Sequence, residues 1–285
     1  MKVAYCLSGH MRSYEKCLQN QKKNFIEKNN CDVFIYTSDL NTTPHNKMKN
    51  PNFKKEQVDL KNVIVNDIYQ SKHYWCTYKL KKDELLNKVI NTYRTYNIDI
   101  KDIFVEEEEE KENITKHKEV VKTWSWIRER QVRKFYMCNE LLKDYQKNNS
   151  TSYDIVVRSR PDIIFKQPID VEAVMKKNGI GKKEIKNTIF VWGGWPPGGD
   201  TMTKAGMREY LFDGFAFSEP EVMDIYCNLY NQVAPPRPDT IPNLEFQMQH
   251  YLLKSGINIK YILPETHSGR VTKKIRDAYC YKIKR

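Results

Sequence analysis

Short apolar runs alternate along this chain with longer stretches whose apolar residues recur every three or four positions. The alternation predicts strands and helices in turn. Lys2–Ser8 is a strand, and the turn Gly9-His10-Met11-Arg12-Ser13 follows it. A helix is predicted from about Tyr14 to Lys28, then a second strand at Asp32–Thr37 that ends in Ser38-Asp39. Residues 40–60 are polar, include Pro44 and Pro51, and read as loop before a third strand at Asn62–Val65. A strand, a helix and further strands in this order predict an α/β fold with a mostly parallel, twisted sheet flanked by helices.

The middle of the chain is less regular. Asp83–Tyr96 predicts a helix. Glu106–Glu110 are five successive glutamates with lysines on either side, and they predict a solvated, mobile segment. They lack the spacing of a calcium-binding loop. A long helix is predicted from about Lys122 to Lys147, with Trp124, Ile127, Gln131, Phe135, Cys138, Leu142 and Tyr145 on one face. Gln131 is the polar member of that stripe. It serves either a buried backbone group or a ligand.

That helix leads into the most informative stretch, Tyr153–Phe165. Ile155, Val156 and Val157 read as a buried strand, and the run then breaks into Arg158-Ser159-Arg160-Pro161-Asp162 before turning apolar again. Two guanidiniums and a carboxylate therefore stand at the carboxyl end of a strand, the edge at which open α/β sheets bind ligands. Guanidinium forks match phosphate oxygens, and a carboxylate can hold a divalent metal or a sugar hydroxyl. The same residues also suit a structural Arg–Asp pair.

Beyond residue 165 the pattern continues. Thr188–Trp192 is a strand that runs into Gly193-Gly194-Trp195-Pro196-Pro197-Gly198-Gly199-Asp200, where four of the chain's 11 glycines fall. This segment reads as an irregular loop, either a plain surface loop or a lid with Trp195 as a sugar-stacking platform. It has neither phosphate-cradle spacing. Asp213-Gly214 predicts a turn before a short strand at Phe215–Phe217, and Ser218 reads as the cap of a helix over Pro220–Tyr230, with Glu221 completing a capping box. Residues 231–242 hold four prolines and read as a linker. Asn243 caps a further helix with Glu245 in its first turn, and Ile257–Ile262 is the last strand.

Composition narrows the classes. A 285-residue chain with 40% hydrophobic and 12% aromatic residues buries a full core. There is no run of about 18 apolar residues, and the N-terminus turns polar too soon for a signal peptide, so a cytoplasmic setting is expected. The seven cysteines are scattered, form no CxxC pair and suit a reducing compartment. The net charge of +12 raises a nucleic-acid reading. However, residues 254–285 alone carry nine Lys/Arg against two acids, and no zinc-finger, RNP or basic-heptad pattern appears. A basic surface equally attracts an anionic nucleotide-sugar.

Four blocks together resemble a family of GT-A-like nucleotide-sugar glycosyltransferases found in large DNA viruses, bacteria and protists. They are Leu7-Ser8-Gly9-x-x-Arg12 with Asp32-Val-Phe-Ile, Tyr153-Asp-x-Val-Val-Arg158-x-Arg160-x-Asp162, Asp213-Gly-Phe-Ala-Phe-Ser with Met223 and Tyr226, and Glu245 with the helix before Gly256-Ile257. They span residues 2–262, while residues 67–120 match nothing in that family. The resemblance implies a soluble glycan-biosynthesis enzyme, such as a viral protein made in the host cytoplasm. It would move a sugar from a nucleoside diphosphate-sugar, UDP-sugars among them, to the hydroxyl of a glycan or protein-linked glycan.

It also implies roles for residues. Ser8, Gly9, Arg12, Asp39, Gln131, Arg158, Arg160 and Asp162 bind the donor. Gly193, Gly194 and Trp195 form an acceptor site or lid, and Asp213 and Glu245 are the catalytic carboxylates. Such enzymes commonly hold a divalent metal with Asp-x-Asp, but this chain reads Arg160-Pro161-Asp162. Two outcomes follow. Either Asp162 still holds Mn²⁺ or Mg²⁺ with His267, or Arg158 or Arg160 neutralises the diphosphate without a metal. One GT-A-like domain over 1–285 is expected. Its nucleotide-binding half would be 1–165, with an insertion at 67–120, and its acceptor half 166–285, with a basic tail. Two rivals remain: a GT-A-like domain that binds nucleotide or glycan without turnover, and a basic nucleic-acid-binding protein.

Overall fold

In the computed structural model of the chain, residues 1–11, 13–44, 64–66, 75–107, 120–181, 184–194, 210–233, 244–262 and 281–283 are described. The first strand, β1 (Val3–Ser8), is buried along its whole length. It feeds helix α1 (Tyr14–Gln21), whose last turn widens to π geometry over Lys22–Ile26. Strands β2 (Cys31–Ser38), β3 (Leu40–Pro44), β4 (Ile64–Asn66) and β5 (Trp75–Lys79) come next, then helix α2 (Lys82–Thr95) and strand β6 (Ile100–Glu106). The long helix α3 (Val120–Asn148) leads to β7 (Ile155–Ser159), β8 (Ile163–Phe165) and helix α4 (Val171–Lys177). Strands β9 (Thr188–Gly194) and β10 (Tyr210–Ser218) precede helices α5 (Pro220–Cys227), α6 (Leu229–Val233) and α7 (Leu244–Lys254), followed by β11 (Asn258–Tyr261) and β12 (Tyr281–Ile283).

Among the described residues the main sheet has seven strands in the order β11-β9-β10-β7-β1-β2-β6. All its neighbouring pairs are parallel except the two made by β10. The fold is therefore α/β, with a mixed, mostly parallel sheet and helices on both faces.

Alternation along the strands separates two cores. Val3, Tyr5 and Leu7 of β1, with Val33 and Ile35 of β2, face Tyr14, Leu18 and Phe25 of the first helix and Leu85, Val89 and Tyr93 of α2. Ala4 and Cys6, with Phe34 and Tyr36, face Val132, Phe135, Cys138 and Leu142 of α3. Backbone at positive φ stands at or just past the ends of five helical segments, at Asn30, Asn97, Ser150, Gly179 and Gly256. Left-handed residues of this kind end helices, and asparagine and glycine adopt that conformation most readily.

Several expectations from sequence change here. The third strand does not join the parallel sheet. Ile64–Asn66 pairs with β5, which also pairs with β3, in a separate antiparallel sheet. β6 takes the place beside β2 and absorbs Glu106, which is buried rather than solvated. Glu107 remains exposed, and the rest of the glutamate run lies outside the described residues. Asp213-Gly214 is no turn. It lies within β10, where the register against β9 shifts between Phe212 and Ala216. Ser218 does not cap a helix. Its hydroxyl donates to the Thr188 carbonyl at 2.5 Å, and Glu219 occupies the cap position without a side-chain bond. The end of the basic tail is also structured, because β12 pairs antiparallel with β8. No helix among the described residues is long and apolar enough to cross a membrane.

Under the carboxyl ends of β7 and β9 the first core is aromatic. Phe215 stacks on Trp192 at 4.6 Å between centroids and meets Phe25 and Phe165 edge-on at 5.4 and 5.6 Å. Phe215→Ala should lower stability by about 3–5 kcal/mol, read as a lower denaturant midpoint at unchanged slope. Nearby, burial raises the phenol pKa of Tyr5 and Tyr93 and pushes that of Tyr14 up to about 12. An unfolded tyrosine ionises near about 10, so above that pH the unfolded chain loses protons that the folded chain keeps. Stability should therefore fall as pH rises through about 10 to 12, and denaturant midpoints on either side of that window check it.

Candidate functional site

The chain leaves β1 in two directions. It moves outward through β2 and β6, then returns along α3 to place β7 on the other side of β1. The carboxyl ends of β1 and β7 thus flank a topological switch point, where open α/β sheets carry their binding crevice. Ser8 and Gly9 leave one strand there, and Ser159, Arg160, Pro161 and Asp162 leave the other.

Gly9 has φ +132°, a conformation that side chains disfavour. Its N–H donates to the Tyr36 carbonyl at 3.3 Å, and its own carbonyl accepts from the Thr37 hydroxyl at 2.8 Å. A Cβ at this position would lie 3.6 Å from the Pro161 ring, so the two strand exits stand side by side. Ser8 is fully buried, and its hydroxyl accepts from Arg158 Nε at 3.4 Å. The Arg158 guanidinium is 2% exposed and lies 3.4 Å over the Phe135 ring, a cation–π contact that helps to hold a buried charge. Gln131 is half-buried one helical turn before Phe135.

Arg160 and Asp162 form a two-pronged ion pair. Nε donates to Oδ1 at 2.9 Å and Nη2 to Oδ2 at 2.8 Å, with the side chains 15% and 1% exposed. This is the structural Arg–Asp pair that the sequence also allowed. The turn that carries it is held from three sides. Arg160 N–H donates to the Gly214 carbonyl at 3.1 Å, in the irregular part of β10. The buried Gln21 amide donates to the carbonyls of Pro161 and Ile163 at 3.0 and 2.9 Å, with a longer contact of 3.4 Å to that of Arg160. The Asn20 amide donates to the Phe165 carbonyl, and its oxygen accepts from the Phe165 N–H.

The other candidates spread along the same sheet edge. Asp39 is buried just past β2, with its backbone N–H donating to the Glu106 carbonyl at 2.9 Å. Gly193 and Gly194 are not loop residues. They end β9, paired with Leu211 and Tyr210. Asp213 lies at the β10 irregularity, and α7 carries Glu245 in its first turn and then runs back into β11. The positions of these two are backbone positions, and their side chains are outside the described set. Arg12, Trp195 and His267 lie outside the described residues. Sequence reading missed Gln21, Tyr36, Phe135 and Arg133. Tyr36 donates its hydroxyl to Glu106 at 3.1 Å, and Arg133 pairs with the same carboxylate. A polar residue inside the apolar face of a helix, as at Gln21, is the signal that would have found it.

The divalent metal implied by the sequence blocks finds no ready set of donors among the described residues, and His267, its second expected ligand, lies outside them. Both oxygens of Asp162 accept from Arg160. Among the described residues no group of three or more His, Cys, Asp or Glu side chains could hold a metal ion.

No family model matches the chain, and no curated protein matches it significantly. Among solved structures it is similar to one described as the crystal structure of a glycosyltransferase involved in the glycosylation of the major capsid of PBCV-1. That match has 13% identity and a TM-score of 0.35, and covers 99% of this chain and 93% of the other.

Replacing Gln21 with leucine removes the donor shared by these turn carbonyls. Stability should fall by about 1–3 kcal/mol in denaturant unfolding. A loss under about 0.5 kcal/mol, typical of a surface change, would mean that the turn is held without it.

Proposed function

We propose that this protein is a glycosyltransferase, binding a nucleoside diphosphate-sugar at the switch point and passing its sugar to an acceptor hydroxyl. The observation that carries this reading is the meeting of Ser8-Gly9 with Arg158-Ser159-Arg160-Pro161-Asp162 at adjacent strand exits, where the sheet reverses its winding. Gly9 lets backbone approach the donor closely, and the guanidinium beside it opposes the charge that grows on the leaving diphosphate. Arg12 adds a further cation to the same turn. Asp39, past the end of β2, hydrogen-bonds the nucleoside, and Gln131 approaches it from the long helix. Gly193, Gly194 and Trp195 border the acceptor.

Chemistry requires a proton to leave the acceptor hydroxyl as the new glycosidic bond forms. Asp213 or Glu245 takes that proton if configuration inverts, and the leaving phosphate takes it if configuration is retained. The chain works as one GT-A-like unit with its nucleotide-binding half first, in the cytoplasm.

A second reading has its own support. The Arg160–Asp162 fork occupies the carboxylate that catalysis would otherwise have at this position. A domain that binds the donor without turning it over would look the same there.

Turnover separates the two. The protein is incubated with a panel of UDP- and GDP-sugars and candidate glycan acceptors, and released nucleoside diphosphate is measured. The transferase reading expects acceptor-stimulated release. It also expects Asp213→Asn or Glu245→Gln to lose about 10²–10⁴-fold in rate with nucleotide affinity retained, if inversion is the course. Ligand-induced stabilisation of about 2.7 kcal/mol at a hundredfold excess over Kd, with no release, would leave only the binder. Stabilisation by polynucleotide alone, weakening steeply with salt, would sink both.

A further inference from the structure

We propose that the donor's diphosphate is held by the Arg160 guanidinium, fixed in orientation by Asp162, and that its binding needs no divalent metal. The proposal rests on the nucleotide-sugar reading above and specifies how that site meets its anionic ligand.

Hard divalent cations take several oxygen ligands, and carboxylates lead among protein donors. The carboxylate at the exit of β7 is Asp162. It is 1% exposed, and each of its oxygens accepts a guanidinium N–H below 3 Å. With 1% of its side chain exposed and the fork on both oxygens, it would have to be uncovered before a metal and its other ligands could reach it. Uncovering it would need the turn to move. The turn is fixed through the Gly214 carbonyl, the Gln21 amide and the Asn20 amide, and β12 pairs with the strand that follows it.

Arginine chemistry points the same way. A guanidinium carries five N–H donors in a rigid plane and keeps its charge at any working pH. The Asp162 fork engages two of them and sets the plane. Arg160 is the more exposed member of the pair, at 15%, and stands at the sheet edge where β1 and β7 end. A preset guanidinium suits planar, two-pronged recognition of phosphate oxygens with little further ordering. Asp162 is then a positioning residue, and Arg160 is the group that meets the ligand.

The test titrates the full chain with UDP, GDP and CDP and with the matching monophosphates, in Mn²⁺ and in excess EDTA, by calorimetry. The expected result is one nucleoside diphosphate whose Kd is the same in both buffers. Arg160→Gln should weaken that diphosphate by about tenfold to a hundredfold and the monophosphate less. Arg160→Lys, which keeps the charge and loses the fork, should fall between. Diphosphate binding that EDTA abolishes and Mn²⁺ restores would overturn the proposal while leaving the nucleotide site intact. EDTA-resistant binding that is unchanged in Arg160→Gln would overturn it as well. No diphosphate binding in either buffer would overturn the nucleotide reading, and this inference with it. If Arg160→Gln does not fold, as its melting curve reports, the wild-type comparison and Arg160→Lys still decide.

Discussion

Everything in this fold is arranged around β1, a strand paired along both edges and buried on both faces. A strand in that position cannot hydrogen-bond its exit residues within the sheet on both sides and also carry the chain on. The chain must climb out at its carboxyl end. β2 and β6 build on one side of it, and β7 can then arrive only on the other, brought back by the long helix α3. The connections out of the sheet diverge at that point, with Gly9 and the turn after β7 side by side at the edge where open α/β sheets bind ligands.

A binding edge is useful only if it holds still, and the turn after β7 has support from several sides. Side-chain amides of the first helix, Gln21, Asn20 and Asn24, reach the backbone of residues 160–165, and Asn29 reaches Ile169 and Val171. The strand partner β10 departs from regular pairing nearby, so that the Gly214 carbonyl meets Arg160. Irregularities of this kind often re-aim backbone beside functional sites. Below the turn, Phe25, Phe165, Trp192 and Phe215 form a tight aromatic floor. Packing beneath and amide bonds alongside together fix where the Arg160 guanidinium stands.

The two arginines of β7 and its exit show how position decides role. Arg158 points into the second core, over Phe135 and against Ser8, and is buried there. Arg160, two residues on, lies past the end of β7, at the edge of the sheet. There a carboxylate partner orients it instead of an aromatic one. Strand alternation alone would put residues i and i+2 on one face, and their neighbours differ because the chain leaves the strand between them.

Local pattern determined much of this protein. Continuous apolar runs marked β1, β2 and β7, because strands buried on both faces have no polar side to show. Three-and-four spacing marked α2 and α3 to within about two residues, because a helix with a single buried face repeats that spacing. The block Arg158-x-Arg160-x-Asp162 was legible as a charged strand end for the same local reason. Tertiary structure alone decided the rest. Whether Asp213-Gly214 turned the chain or bulged within a strand depended on a partner strand nearly twenty residues earlier in the chain. Whether Glu106 faced water or a sheet depended on β2, Tyr36 and Arg133. That Gln21 holds the turn carrying Arg160 and Asp162 depends on groups brought together by the return of α3. Spacing along a chain reports which face of its own element a residue occupies. Pairing across the sheet and the partners of a buried charge are set by elements distant in sequence, and only the folded chain selects them.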